Sequence, residues 1–327
     1  MRRLYVTEYG EPDVLEWRDE PDPTPGPGEV LVRVRAFSVI WADVLERRGK
    51  YPGQPEAPFP SGHEFTGVVE AVGPGVTEPR VGTRVAGTNP SGGAAGELVV
   101  VPAHILYPVP ESIDDAAGAA IVASYLTAEV GITEFGRIGP SDAVLIHAAA
   151  GGLGSASLQL CRAHGCGTIV ATAGGSEKAA LVEEWGADAG VDYHSEDFVE
   201  AALEATGGRG VDVVLESVGG DVLGRSFDCI VPGGRMVCMG ASSGRSSDRF
   251  RLHTLFEKGI AVSGFTLGLW IDARLPAVTA AAERVLRFAE DGRIAPVIGR
   301  VFPADEVADA HRLFESRATV GRVVVTF

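Results

Sequence analysis

The residues of this 327-residue chain whose types and spacing most directly suggest chemistry run from His147 through three alanines to Gly151, Gly152, Leu153 and Gly154. They join an apolar stretch, residues 143–147, to a helical pattern over residues 152–163. Glycines at such a turn let the backbone approach a pyrophosphate closely, and the amides opening the helix meet its charge. The spacing is A-x-x-G-x-x-G, a variant of the dinucleotide fingerprint. A glycine-rich turn alone is a weak signal. Here a strand precedes it, a helix follows, and further strand–helix units lie behind it, which points to dinucleotide binding.

The next strand end discriminates between dinucleotides. An NAD site carries an acid about 20 residues past the loop, on the ribose 2′-hydroxyl. Counting from Gly151 reaches Ala171, Thr172, Ala173, Gly174, Gly175 and Ser176, none of them acidic, before Glu177 and Lys178. A neutral strand end beside a hydroxyl and an ammonium suits a 2′-phosphate, so NADPH is expected. Lys178 as a solvated helix residue is the competing reading.

These groups need a scaffold, and the chain supplies two rhythms. Residues 30–35, 65–72 and 97–101 read as short strands between glycine and proline clusters, an all-β pattern that suits a partly open barrel. Residues 116–134 suit a helix. Beyond Asp142 continuous apolar strands (143–147, 168–172, 211–216, 235–239, 260–266) alternate with helices (152–163, 177–185), which implies a doubly wound parallel sheet. A helix at 280–291 and a last strand at 322–327 are expected to return to the first domain. The fold class is therefore α/β, with one domain from 1–120 and 268–327 and the other from 121–267.

Composition narrows the partners. The formal net charge of −16 disfavours nucleic acid and anionic lipid surfaces. Residues 1–9 carry two arginines with no apolar run after them, and the small-residue run 116–126 is bracketed by Asp115 and Glu129. Neither an export signal nor a membrane span is expected. Cys161, Cys166, Cys229 and Cys238 show no zinc-ribbon spacing and read as reduced residues of a cytoplasmic protein.

Ordered motifs then resemble the medium-chain dehydrogenase/reductase superfamily, in its zinc-free quinone oxidoreductase (zeta-crystallin-like) branch. Residues 42–52 resemble the branch's N-x-x-D-x-x-x-x-R-x-G-x-Y-P segment and residues 60–69 its P-x-x-G-x-E-x-x-G-x-V segment. Leu126-Thr127-Ala128 is similar to the L-T-A helix and Gln159 to the glutamine after the glycine loop. Gly186-Ala187-Asp188 with Tyr193, and Gly321-Arg322-Val323-Val324, are similar to the G-A-D-x-x-x-D-Y and G-K-x-V stretches.

The resemblance implies a GroES-like catalytic domain and a Rossmann domain. It implies Thr127 at the nicotinamide end, with Gly174, Ser176, Lys178 and Tyr193 around the 2′-phosphate. Ser217, Gly240, Phe265 and Thr266 would line the ribose and nicotinamide channel, and Arg322 would join the cofactor-binding set. It also implies a homodimer through the strand 260–266. Related enoyl reductases use a tyrosine where Tyr51 stands. Tyr51 is thus the candidate proton donor, with packing at the cleft mouth as the alternative. Asp43 and Arg48 are expected to form a structural ion pair.

Two departures bear on chemistry. Ile40 replaces the segment's asparagine, followed by Trp41, which removes a polar group and enlarges the apolar wall. Gly62-His63-Glu64 resembles the G-H-E of zinc alcohol dehydrogenases. Those relatives have a cysteine where Ile40 stands; no cysteine precedes Cys161, and residues 86–97 lack a structural-zinc lobe. No metal is expected.

The expected activity is hydride transfer from NADPH to a quinone or an α,β-unsaturated carbonyl. An enoyl-thioester reductase is the alternative enzyme, with Arg245, Arg249 and Arg251 as a basic entrance. A NADPH-binding sensor or structural protein without turnover is the alternative of another class.

Overall fold

The computed structural model describes every residue except Pro52, Gln54 and Arg251. The proline of the residue 42–52 segment and one arginine of the expected basic entrance therefore lie outside the described residues. Two compact units result: residues 1–123 with 296–327, and residues 124–295.

The first unit is built on the strand Glu29–Val39, whose valines alternate with outward arginines before the strand becomes buried throughout. Half-burial on a pleat requires that alternation. The strand pairs antiparallel with Glu64–Val72 and Leu98–Pro102, and with the final strand Arg322–Thr326, where Val324 faces Ser38. The chain's end thus completes the N-terminal sheet. Glu64–Val72 continues the sheet to Arg84–Thr88.

In the second unit six parallel strands lie in the order Ala189–Asp192, Ile169–Ala173, Val144–Ile146, Val211–Glu216, Ile230–Cys238, Ala261–Gly264. The order reverses beside Val144–Ile146, the switch point where doubly wound sheets leave a crevice at the carboxyl ends of their strands. Leu145, Val170 and Val214 are wholly buried there.

Two elements differ from expectation. The single helix expected at 116–134 is three pieces: Asp115–Gly118, Ala123–Val130 and a π-helical turn Gly131–Gly136. A Cβ on Gly118 would lie 2.7 Å from Thr66 Oγ1, so the first piece packs tightly on the first unit's own sheet. The last helix begins earlier, spans Leu267–Glu290, and belongs to the second unit. Its buried Val278, Ala281, Ala282 and Val285 form one face, and Arg284 pairs with the buried Glu129 at 2.6 Å. A single buried carboxylate needs such a partner, and this one anchors the helix where 280–291 had been assigned to the other domain.

Candidate functional site

The glycine loop follows the strand Val144–Ile146 at the switch point. Its sharp turn falls on Ala148, at φ +52°. An L-residue there costs about 1 kcal/mol or more, and Ala149 N–H donating to Thr172 O at 2.8 Å holds the turn in place. Gly151, by contrast, has an ordinary φ of −84° and precedes the helix Gly152–Ala163 without any side-chain cap. Gly154 is needed for proximity: a Cβ there would fall 2.2 Å from Ala148 O and 2.5 Å from Ala149 Cα. The amides of Gly152, Leu153 and Gly154 therefore open a helix against a closely folded loop, the arrangement that receives a pyrophosphate. His147 fastens the loop's start, its ring between Thr172 Oγ1 (3.2 Å) and Ser226 Oγ (2.9 Å). Burial pushes its pKa down to about 3, so it stays neutral.

At the neighbouring strand end a Cβ on Gly174 would lie 2.5 Å from Tyr193 Oη, so a larger residue there would push the exposed tyrosine aside. Gly175, at φ +99°, precedes the helix Ser176–Glu184. Asp192 braces this corner: Oδ1 accepts from Gly175 N–H (2.8 Å) and His194 N–H (3.0 Å). Those amides hold its carboxyl below the usual range. Ser176 and Tyr193 are exposed and Lys178 is half-buried, with burial lowering the Lys178 ammonium. Gly174, Ser176, Lys178 and Tyr193 thus sit at one corner of the second unit.

Ser217 and Gly240 adjoin across two strand ends, where a Cβ on Gly240 would meet Ser217 O at 3.2 Å. Glu216, fully buried, accepts from Val218 N–H (2.7 Å) and Gly219 N–H (2.9 Å) and fixes that loop. Phe265 stacks on Phe135 at 4.7 Å. Thr266 caps the helix Leu267–Glu290 through Leu269 N–H, a structural duty that its sequence did not announce. Thr127 is half-buried in the helix Ala123–Val130.

Arg322 lies in the first unit. Its buried guanidinium is paired with Glu64 and donates to Ser38 Oγ at 2.9 Å. That charge is committed to neutralising Glu64, as a buried ion must be, and the geometry offers no reason to count Arg322 with the cofactor corner. Asp43 and Arg48 do not pair with each other either. Arg48 meets Glu11 and Glu315, while Asp43 Oδ2 accepts from Ile40 N–H at 2.7 Å and caps the helix Trp41–Arg47. Arg249 is paired with Asp228 at 2.7 Å, which consumes one charge of the expected basic entrance.

Tyr51 is half-buried, and burial, with the charge of Glu46, raises its pKa. Nearby in sequence lies a cluster that the sequence did not reveal. His63 Nδ1 donates to Asn89 O at 3.0 Å, and Nε2 sits 2.8 Å from Glu46 Oε2 and 3.9 Å from Asp43 Oδ1. A carbonyl only accepts, so Nδ1 carries a proton; facing a carboxylate, Nε2 carries one as well. Burial pulls the imidazole down, but the Glu46 bond and the charges of Asp43 and Glu46 outweigh it and hold the pKa at about 9. Burial raises Asp43 to about 6.

A zinc ion would not fit this donor set. Both ring nitrogens of His63 are engaged and Ile40 offers no ligand atom. Among the described residues no group of three or more His, Cys, Asp or Glu could hold a metal.

The cluster gives stability a pH dependence. His63 is raised from 6.5 to about 9, so its contribution is complete below about 6.5 and is lost as pH rises through about 9. Asp43, raised to about 6, favours the folded state only while protonated and withdraws that help as pH climbs from about 4 to 6. Urea unfolding should show ~2–3 kcal/mol less stability at about pH 9.5 than at about pH 6.5. His63→Gln should flatten that difference, and an equally steep loss in the variant would exclude His63 as its source.

Residues 26–111 match the family model of the alcohol dehydrogenase GroES-like domain, and residues 152–284 that of the zinc-binding dehydrogenase. The chain is 33% identical over 342 residues to the Homo sapiens synaptic vesicle membrane protein VAT-1 homolog, spanning 99% of this chain and 86% of that protein. It is 36% identical over 325 residues to the quinone oxidoreductase of Pseudomonas aeruginosa, spanning 99% of each. Among solved structures, Escherichia coli quinone oxidoreductase complexed with NADPH is similar at a TM-score of 0.92 and 31% identity, over 100% of both chains.

Proposed function

Because the chain belongs to the medium-chain dehydrogenase/reductase superfamily, in its zinc-free quinone oxidoreductase branch, we propose that it reduces a quinone or an α,β-unsaturated carbonyl with NADPH, without zinc. The observation that carries the reading is the uncapped helix start folded against Ala148 at the switch point, beside a strand end bearing Gly174, Ser176, Lys178 and Tyr193. Bound there, NADPH supplies a hydride from its nicotinamide C4. The amides of Gly152, Leu153 and Gly154 hold the pyrophosphate. Ser176, Lys178 and Tyr193 hold the 2′-phosphate, Lys178 countering its charge. Thr127, Ser217, Gly240 and Phe265 line the nicotinamide end, and Tyr51 donates the proton that an enone requires.

Each charge-assisted hydrogen bond to the 2′-phosphate contributes roughly 1.5–3 kcal/mol, so NADPH should bind on the order of a hundredfold more tightly than NADH. Fluorescence titration measures both. Lys178→Ala should weaken NADPH and leave NADH nearly unchanged, whereas equal dissociation constants in the wild type would refute the 2′-phosphate site.

Among the described residues the strand Ala261–Gly264 ends the second unit's sheet with one neighbour, and Ala261 and Gly264 are exposed. An open edge invites pairing, and a homodimer through this edge is part of the proposal. Sedimentation should give a dimer at micromolar concentration; a stable monomer would contradict it. No helix among the described residues is long and apolar enough to cross a membrane. The four cysteines are unpaired, which suits the reducing cytoplasm proposed for the protein.

A further inference from the structure

The helix that opens at the glycine loop closes on a pair of cysteines. It ends at Ala163, with His164 as its C-cap. Gly165, at φ +73°, takes the left-handed conformation that stops a helix without a Cβ penalty. Its N–H donates to Arg162 O at 2.9 Å, and Cys166 N–H donates to Cys161 O at 3.0 Å. These two bonds, one nested in the other, make a Schellman motif. The motif lays the side chain just past the helix end against one in the last turn, and that contact is commonly apolar. Here the two positions are Cys166 and Cys161, so the backbone sets two free thiols side by side. Cys161 is wholly buried, while Cys166 keeps 6% of its surface open to solvent.

We propose that Cys161 and Cys166 are a peroxide-responsive thiol pair, reduced at rest and closing reversibly to a disulfide across the helix end. Cys166 reacts first, because it alone of the pair is reached from solvent. Arg162, which donates to Gly167 O at 2.9 Å, brings a positive charge to it. A hydrogen bond from the Cys161 thiol lowers the Cys166 pKa; burial and the charges of Asp188 and Asp142 oppose this, and Arg162 adds to it. The same bond, with burial, raises Cys161.

The Cys166 thiolate attacks one oxygen of hydrogen peroxide: an S–O bond forms, the O–O bond breaks and hydroxide leaves. The Cys161 sulfur then attacks the sulfenic sulfur, and the S–S bond forms as the S–O bond breaks and a second hydroxide leaves. The two thiol protons go to the two hydroxides and give two waters. Together the sulfurs lose two electrons, which the peroxide gains; two equivalents of a small thiol reverse the change. The second thiol is protective, since a sulfenic acid without a partner goes on to the irreversible sulfinic acid. Cys229 and Cys238 lack the arrangement. Burial raises them to about 12 and about 11, which leaves little thiolate to react.

The test is mass spectrometry of the full chain after brief exposure to hydrogen peroxide, alkylation of the remaining thiols and tryptic digestion. Trypsin cuts after Arg162, between the two cysteines, so a disulfide leaves residues 138–162 joined to residues 163–178. The joined peptides should appear with peroxide and disappear with dithiothreitol. Cys166 should oxidise at least roughly tenfold faster than Cys229 or Cys238. In Cys161→Ser, dimedone should trap a sulfenic acid on Cys166, which longer exposure converts to sulfinic acid. The wild-type measurement decides the matter even if that variant does not fold. Absence of the joined peptides, or oxidation of all four cysteines at one rate, would overturn the proposal.

Discussion

Tyr51→Phe should lower turnover of an enone by ~10²–10⁴-fold, the range for removing a general acid, while quinone turnover falls far less. Hydride addition to an enone leaves negative charge on the carbonyl oxygen and a carbon that must be protonated. In a quinone the charge spreads over oxygens that can take protons from water. Burial, followed by the charge of Glu46, raises the phenol's pKa, so Tyr51 is protonated at neutral pH, as a donor must be. Phenylalanine keeps the ring and its packing and removes only the hydroxyl. NADPH consumption with both substrates separates the roles. An unchanged enone rate would reduce Tyr51 to an aromatic wall.

Gly154→Ala should weaken NADPH on the order of a hundredfold and cost roughly 1–3 kcal/mol of stability. The new methyl would meet Ala148 O at 2.2 Å and Ala149 Cα at 2.5 Å, and both are backbone atoms that cannot rotate away. The loop itself must move, and the amides that should hold the pyrophosphate move with it. Ala148→Gly is the contrasting variant. At φ +52° glycine relieves strain, offset by the entropy it adds to the unfolded chain, so stability should change by less than about 1 kcal/mol. Calorimetry and cofactor titration of the pair decide the point. Tight NADPH binding by Gly154→Ala would mean that close approach at this glycine is dispensable.

The sequence made legible what local pattern controls. The helix Gly152–Ala163 and the strand Val211–Glu216 stand where periodicity placed them, because continuous apolar strands and amphipathic helices announce themselves over a few residues. Gly174 with Tyr193 was legible only through resemblance, since their contact joins two strands. Ala148 could not be read: alanine carries no signal for a left-handed turn, and the glycines beside it invited the wrong attribution. The Glu46–His63 bond spans 17 residues and depends on how the helix Trp41–Arg47 meets the strand Glu64–Val72. Arg322 looked available for the cofactor because a sequence does not display the buried Glu64 that claims it. The helix Leu267–Glu290 went to the wrong domain for a similar reason, as its anchor Glu129 lies 155 residues from Arg284.

The reaction class separates this protein from alcohol-oxidising members of the superfamily. Oxidising a simple alcohol needs something to stabilise a developing alkoxide, for which zinc is the superfamily's usual means. Here Ile40 supplies no ligand, and His63 is bound by Asn89 and Glu46. The most direct measurement follows NADPH oxidation with a quinone and with an enone, and NADP⁺ reduction with a simple alcohol, each with a zinc chelator present. The quinone and the enone should turn over steadily and the alcohol not at all. Robust alcohol oxidation, or no NADPH consumption with either conjugated substrate, would contradict it.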